Sequence, residues 1–255
     1  MSDTVVIVPT YNNAGTLENV LRRILAQDLP VLVVNDGCTD DTPEILRKMT
    51  EREGLSGAFA RTGSRSDAEE RPSLSVIEHN KNQGKGKALK TGFQEALRLG
   101  YQYAVTLDAD GQHFPEDIPA LLAAKGERTL VVGSRPVRGN AGASSFANRF
   151  SNFWFTAYTG VRLPDTQTGF RLYPLQALPS LRLLSARYEA ELALLVFSAW
   201  KGLTLKPVAV RVDYPEDRVS HFRPGRDFTR ISILNTLLLP LALLYGWPAR
   251  LFRKR

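Results

Sequence analysis

The chain is poor in cysteine, in acid relative to base, and in long apolar runs. Its single cysteine, Cys38, rules out an intrachain disulfide, fits a reducing compartment, and leaves any metal site to oxygen ligands. The opening residues Met1-Ser2-Asp3-Thr4 pass straight into an apolar strand pattern without a basic n-region or a cleavage site, so no secretion signal is expected. The apolar stretch from Ile231 to Trp247 holds Asn235 and Pro240, and its roughly 17 residues would span about 25 Å as a helix against a hydrocarbon core of about 30 Å. A clean transmembrane crossing is therefore not expected. No internal repeat and no Gly-x-x-x-x-Gly-Lys-Ser/Thr loop is present. Acidic residues number 26 against 33 basic ones, a formal charge of +7, which favours diphosphates, lipid headgroups or nucleic acid as partners. The basic residues are scattered and match no nucleic-acid motif, so nucleic acid is not an expected partner.

What is present is a regular alternation. Short β-branched or apolar runs at Val5 to Val8, Val31 to Val34, Ser75 to Glu78, Ala104 to Leu107 and Leu130 to Gly133 read as strands. Between them, Leu17, Val20, Leu21, Ile24 and Leu25 repeat with helical spacing, a second helix starts near Thr42 with Asp40 or Asp41 as its cap, and a third runs near Lys85 to Leu99. This order predicts an α/β fold with a mostly parallel sheet covered by helices on both faces. One domain is expected over residues 1–213, with 54–73 as an exposed loop, and residues 214–255 as a basic loop followed by an apolar, membrane-associating tail. Ligands of such sheets bind beyond the carboxyl ends of the strands.

The distinctive sequences each follow a strand. Val105-Thr106-Leu107-Asp108-Ala109-Asp110-Gly111-Gln112 places two carboxylates two residues apart, so that Asp108 and Asp110 can share a hard cation, Mg²⁺ or Mn²⁺, with Gln112 adding a neutral oxygen. An isolated Asp-x-Asp is more often a polar turn, and here the neighbouring motifs decide. Val8-Pro9-Thr10-Tyr11-Asn12-Asn13 offers a fixed backbone and a flat ring for a base. In Val34-Asn35-Asp36-Gly37-Cys38-Thr39-Asp40-Asp41, Asp36 is a candidate acceptor for a base or ribose. Asn80-Lys81-Asn82-Gln83-Gly84-Lys85-Gly86-Lys87 combines glycines with lysines at a helix N-terminus and reads equally as phosphate contact or as a solvated face.

Taken in order, these motifs resemble the family 2 glycosyltransferases, most closely the dolichyl- or polyprenyl-phosphate mannose synthase-like branch, over roughly Val5 to Val212. The resemblance implies a GT-A fold, a Rossmann-like nucleotide-diphospho-sugar transferase architecture. It also implies inverting transfer from a UDP- or GDP-sugar to a membrane lipid, with a polyprenyl phosphate as the expected acceptor. A hydroxyl on another lipid or glycan, or an inactive nucleotide-binding scaffold, is the alternative. By the same resemblance Pro9, Tyr11, Asn13, Val34 and Asp36 would meet the nucleoside, and Lys87, Ala109 and Arg135 the donor. Asp108, Asp110 and Gln112 would hold metal and diphosphate. Asp165, with Thr168-Gly169-Phe170-Arg171, would line the acceptor side, and Tyr188-Glu189-Ala190-Glu191 would supply an acidic helix start. Asp165, Glu189 and Glu191 are the candidate bases for a hydroxyl acceptor. Arg218 matches the closing arginine of the family while its downstream lysine has no clear equivalent, and His221, Arg223 and Arg226 are expected either to form a comparable cationic clamp on phosphate or to make a basic membrane-facing loop. Asn13, Asn35 and Cys38 depart from the family's Glu, Asp and Ser.

Trp247 and the basic end Arg250, Arg253, Lys254 and Arg255 suit an interfacial anchor on an anionic membrane, and Phe146 to Tyr158 reads as a second helix dipping into lipid. The alternative for both is packing together as a soluble subdomain or a homodimer interface. The expected location is the cytoplasmic face of the cell membrane, peripheral or monotopic.

Overall fold

A computed structural model describes residues 2–52, 73–135, 142–181, 189–213, 236 and 238–248. The segment 54–73 lies outside them except for Ser73, as do Tyr188, Arg218, His221, Arg223 and Arg226. The elements run β1 (Thr4–Thr10), α1 (Ala14–Leu25), β2 (Val31–Asn35), α2 (Thr42–Arg52), β3 (Leu74–Glu78), α3 (Lys85–Arg98), β4 (Tyr103–Thr106), α4 (Ile118–Leu122), β5 (Thr129–Ser134), α5 (Gly142–Thr159), β6 (Arg171–Pro174), α6 (Glu189–Trp200) and β7 (Thr204–Ala209). A last helix, α7, covers 238–248, with Ala242–Gly246 wound as a π-helix.

The strands form one sheet in the order β3-β2-β1-β4-β6-β5-β7. All pairings are parallel except those of β6, which lies antiparallel between β4 and β5. Period-2 alternation explains why both faces are dry. Val5, Ile7, Leu32 and Val34 point into one cluster with Leu89 and Phe93 of α3 and Leu195 of α6, while Val6, Val8, Val31 and Val33 point into the other with Leu17, Leu21 and Ile24 of α1. The expected α/β arrangement with helices on both faces is what the structure shows.

Two strands were not legible in the sequence. β6 is four residues long and opens with an arginine, and β7 carries Pro207. α5 is only in part the surface helix expected at Phe146 to Tyr158. Its Phe155 and Tyr158 are fully buried in the core cluster and Trp154 stacks on Tyr158 at 5.6 Å between ring centroids, while Phe153 is exposed. The aromatic spacing was read as an outward stripe because the sequence did not show that α6 lies alongside.

Candidate active site

Six parallel strands and the start of antiparallel β6 deliver their loops to one edge. After β1 and β2, two turns are laced together. Asn12, at φ 54°, accepts from the Thr39 amide at 2.8 Å and donates to its hydroxyl at 3.2 Å, and the Asn12 amide donates to Cys38 Sγ. The Asp40 carboxylate accepts from the amides of Ala14 and Thr42, at 3.1 Å each, and so joins the first turns of α1 and α2, while the Asp41 carbonyl takes the first helical bond of α2. Asn35 Oδ1 accepts from the Cys38 amide at 2.9 Å. The asparagines and the cysteine that depart from the family pattern thus stitch these loops. Asn13 sits within the same turn, its side-chain oxygen 3.4 Å from both the Thr10 hydroxyl and the Tyr11 amide.

Asp36 is turned inward. Its carboxylate accepts from the amides of Gln83 at 2.9 Å and Gly84 at 2.7 Å, and His79 Nδ1 lies 2.7 Å from Oδ1, with His79 Nε2 3.0 Å from the Thr91 hydroxyl. Three partners leave little capacity for a base, so the carboxylate chiefly shapes the glycine-rich loop before α3. Gly37 passes so close to the Lys81 backbone that a Cβ has no room there, and its φ of 70° suits glycine alone. Pro9 and Val34 are register partners in adjacent strands with both side chains buried, so they can offer a ligand only main-chain groups. Tyr11 is half-buried at the mouth of these loops.

Beyond β4 lies the charged centre. Lys85, the first residue of α3, places Nζ 2.8 Å from Asp108 Oδ1, 3.0 Å from its Oδ2 and 2.8 Å from Glu191 Oε2 at the start of α6. Burial disfavours the ammonium, but the two carboxylates outweigh it and raise its pKa; Asp108 is lowered because Lys85 overcomes its own burial. Asp110 goes the other way, pushed up to about 6 by burial and then by the charge of Asp108. Its Oδ1 accepts from the Gln112 amide at 3.0 Å, across a turn in which Gly111 has φ 74°. Ala109 is buried, and its carbonyl accepts from Thr16 at 2.6 Å, which fixes the motif against α1.

Sequence reasoning named Lys87 and missed Lys85 as the residue that matters here. The signal was available in helical phase. Ala88, Leu89, Gly92, Phe93 and Ala96 form the buried face of α3, and Lys85 continues that face by three and four residues, whereas Lys87 lies off it and is half-buried.

The short β6 brings the Asp165 to Phe170 loop to the same edge. Arg135, after β5, grips Asp165 with Nε at 2.5 Å and Nη2 at 2.9 Å, and the Gln167 amide adds a bond at 3.0 Å. Burial raises the Asp165 carboxyl, but the arginine outweighs it and holds the group below the usual carboxylate range. Arg171 is fully buried and donates to the carbonyls of Glu191 at 2.8 Å and Thr166 at 2.9 Å, tying this loop to α6. Glu191 Oε1 is buried without a hydrogen-bond partner among the described residues. His113 is buried against Phe170, in an isolated bridge with Val212, and burial drops its pKa to about 4. It is a neutral wall of the site.

Gly169 leaves room for the centre. A Cβ there would stand 2.6 Å from Asp108 Oδ2 and 2.9 Å from Lys85 Nζ. Gly169→Ala should therefore lower kcat/KM by about 10- to 100-fold through displacement of Asp108, with an unchanged far-ultraviolet spectrum. Unaltered kinetics would mean that Asp108 is not held where its function needs it.

Over residues 5–173 the chain matches Glycosyl transferase family 2, and it belongs to that family. Among curated relatives, the UDP-N-acetylglucosamine–dolichyl-phosphate N-acetylglucosaminyltransferase of Methanococcus voltae is 28% identical over 228 residues, covering 82% of this chain and 85% of the relative. The undecaprenyl-phosphate mannosyltransferase of Micrococcus luteus is 33% identical over 174 residues, or 66% of this chain and 64% of the relative. The polyprenol monophosphomannose synthase of Mycolicibacterium smegmatis is 31% identical over 192 residues, 71% and 64% respectively. Among solved structures, glucosyl-3-phosphoglycerate synthase from Mycobacterium tuberculosis, in complex with Mn²⁺, UDP and phosphoglyceric acid, superposes with a TM-score of 0.63 at 19% identity, covering 94% of this chain and 78% of that one. Mannosyl-3-phosphoglycerate synthase from Rubrobacter xylanophilus gives 0.58 at 15% identity, with 98% and 74% covered. The fold is the GT-A fold.

Proposed function

We propose that this glycosyltransferase is an inverting, metal-dependent enzyme that moves a hexose from a UDP- or GDP-sugar to a polyprenyl phosphate at the cytoplasmic face of an anionic membrane. One observation carries the choice of acceptor. Of the three candidate bases, the two most buried are already engaged by cations, Asp165 by Arg135 and Glu191, through Oε2, by Lys85, while Glu189 stands half-buried at the start of α6. A hydroxyl acceptor needs a carboxylate to take its proton, whereas a phosphate monoester is already anionic and needs none. The names of the three curated relatives, all acting on lipid phosphates, support the same reading.

The donor set also fits a hard divalent cation. Asp108 and Asp110, two residues apart just after β4, would contribute two carboxylate ligands, with Gln112 adjacent, and water and donor diphosphate oxygens would supply the rest, as Mg²⁺ and Mn²⁺ prefer. Bound there, the metal supplies charge neutralisation for the departing nucleoside diphosphate. The chain's own part is positioning. The loops after β1 and β2, with Pro9, Tyr11, Asn13 and Val34, frame the nucleoside, and Asp36 holds the loop before α3 beside them. Ala109 fixes the metal turn, and Lys85 buttresses Asp108. Arg135 and Arg171 set the acceptor loop, and Arg218 and Arg223, which lie outside the described residues, would add positive charge for phosphate. An acceptor phosphate oxygen bonds to the anomeric carbon as the bond to the diphosphate oxygen breaks on the opposite face, and the nucleoside diphosphate leaves with that electron pair.

Calorimetry of UDP, GDP and their sugar conjugates with the purified protein should give binding of one base that is present with Mn²⁺ and lost in EDTA. With that donor, a short-chain polyprenyl phosphate in detergent should become glycosylated. Nucleotide binding without lipid glycosylation would remove the lipid-phosphate acceptor, and absence of any nucleotide binding would remove the transferase itself.

A further inference from the structure

The last helix carries apolar side chains on faces that the fold does not cover. Leu238, Ala242 and Gly246 form its inward seam, spaced by four, with Gly246 set directly against the Trp200 indole. Two tryptophans fasten this seam to the body of the protein. Trp200 Nε1 donates to the Tyr158 carbonyl at 3.0 Å, and Trp247 Nε1 to the Ala157 carbonyl at 3.1 Å. The outward side holds Leu241, Leu243, Leu244, Tyr245 and Trp247, between 44% and 80% exposed. Phe153, 65% exposed, stands on α5, the helix to which Trp247 is bonded. From Leu237 to Ala249 there is no charged side chain. A surface helix of a water-soluble domain carries polar residues opposite its buried seam, and this one does not.

We infer that α7 and the adjoining part of α5 dock the enzyme onto the interface of an anionic bilayer, with α7 lying in the membrane plane. The inference deepens the lipid-acceptor reading and rests on it for the purpose of the contact. Among the described residues no helix is long and apolar enough to cross a membrane, and the 11 described residues of α7 reach about 16 Å against a core of about 30 Å. Charge selects lipid over a second copy as the occupant. The chain continues from α7 into Arg250, Arg253, Lys254 and Arg255. Two copies packed through this face would bring two such tails to one interface, where they repel, whereas anionic headgroups beside the buried leucines attract them. Tyr245 and Trp247 have the amphipathic rings that favour the headgroup level. The face also lies close to the chemistry. α6 begins at Glu191's turn in the charged centre and ends at Trp200 against α7, about 13 Å along its axis.

The test uses the full chain without donor or acceptor. Sedimentation with vesicles of phosphatidylcholine, alone and with phosphatidylglycerol, should show partition about tenfold stronger on the anionic vesicles and weakened by salt. The Trp emission should shift to the blue on binding, and Trp247→Phe should remove most of the shift. Leu241→Glu with Leu244→Glu should cut partition at least about tenfold at an unchanged melting temperature, since both side chains are already in solvent. Wild-type protein that stays with the supernatant, or a double variant that still binds as well, overturns the docking face. So does a dimer in sedimentation velocity that the double variant dissociates. Glycosylation of a short-chain prenyl phosphate in detergent reads the catalytic proposal separately, and the double variant should retain it.

Discussion

Asp110→Asn should abolish metal-dependent transfer while leaving the protein as stable as before or more so. The expected loss in kcat is about 10³-fold, the scale of losing the cation that stabilises the negative charge developing on the leaving diphosphate. The stability effect has the opposite sign because Asp110 is held ionised against its surroundings. Burial and the neighbouring Asp108 push its carboxyl up to about 6 from 3.8. Between those values the folded state binds more protons than the unfolded state, so stability falls as pH rises through the window, and above pH 6 the whole cost is present. The amide removes that cost, for a gain of about 1–3 kcal/mol at pH 7.5 that fades as pH approaches 4. Thermal melts at the two pH values and turnover with Mn²⁺ check both halves. Retained metal-dependent turnover would take the metal away from this pair.

Lys85→Met should be the more damaging change to the fold. Its ammonium lies 2.8 Å from an oxygen of Asp108 and 2.8 Å from an oxygen of Glu191, so the two carboxylates sit within about 6 Å of each other with this cation between them. Removing it strands two like charges in a partly dry site, which costs about 3 kcal/mol, or roughly 6–12 °C in melting temperature for a chain of this size. The loss should be greatest near pH 8 and smallest near pH 5. Without the lysine, burial is left unopposed at Asp108 and raises its carboxyl, so its protonation at lower pH relieves the repulsion. Activity should fall with stability even at low temperature, because Asp108 loses the contact that aims it. A variant that melts like the wild type at every pH would show that the carboxylates do not depend on Lys85.

The elements that read correctly from sequence are those whose pattern is local. The runs at Val5 and Val31 are continuous and β-branched because parallel strands are buried on both faces, and the structure sends their alternate residues into two separate clusters. Asp108 and Asp110 stood out because the motifs around them each follow a strand, a context that an isolated Asp-x-Asp lacks. β6 was not legible, since four residues cannot carry a period and Arg171 argues against a buried strand. The burial of Arg171 depends on the carbonyl of Thr166, in the loop just before the strand, and on that of Glu191, 20 residues on at the start of α6. Asp36 was read as a ligand for base or ribose because an acid at a strand end usually has lone pairs to offer. The amides of Gln83 and Gly84 and the ring of His79, more than 40 residues away, take most of them.

By itself the sequence determined the α/β alternation, the edge of the sheet where chemistry sits, and the family, because periodicity and strand-end motifs are properties of neighbouring residues. Only the tertiary structure decided which charges meet. Lys85 rather than Lys87 reaches Asp108, Arg135 occupies Asp165, and α5 buries Phe155 and Tyr158 of the aromatic stripe that looked outward. Ion pairing and desolvation act over a few ångströms of space, and the chain brings residues such as Lys85 and Glu191 within that range only when the sheet and its helices have closed around them.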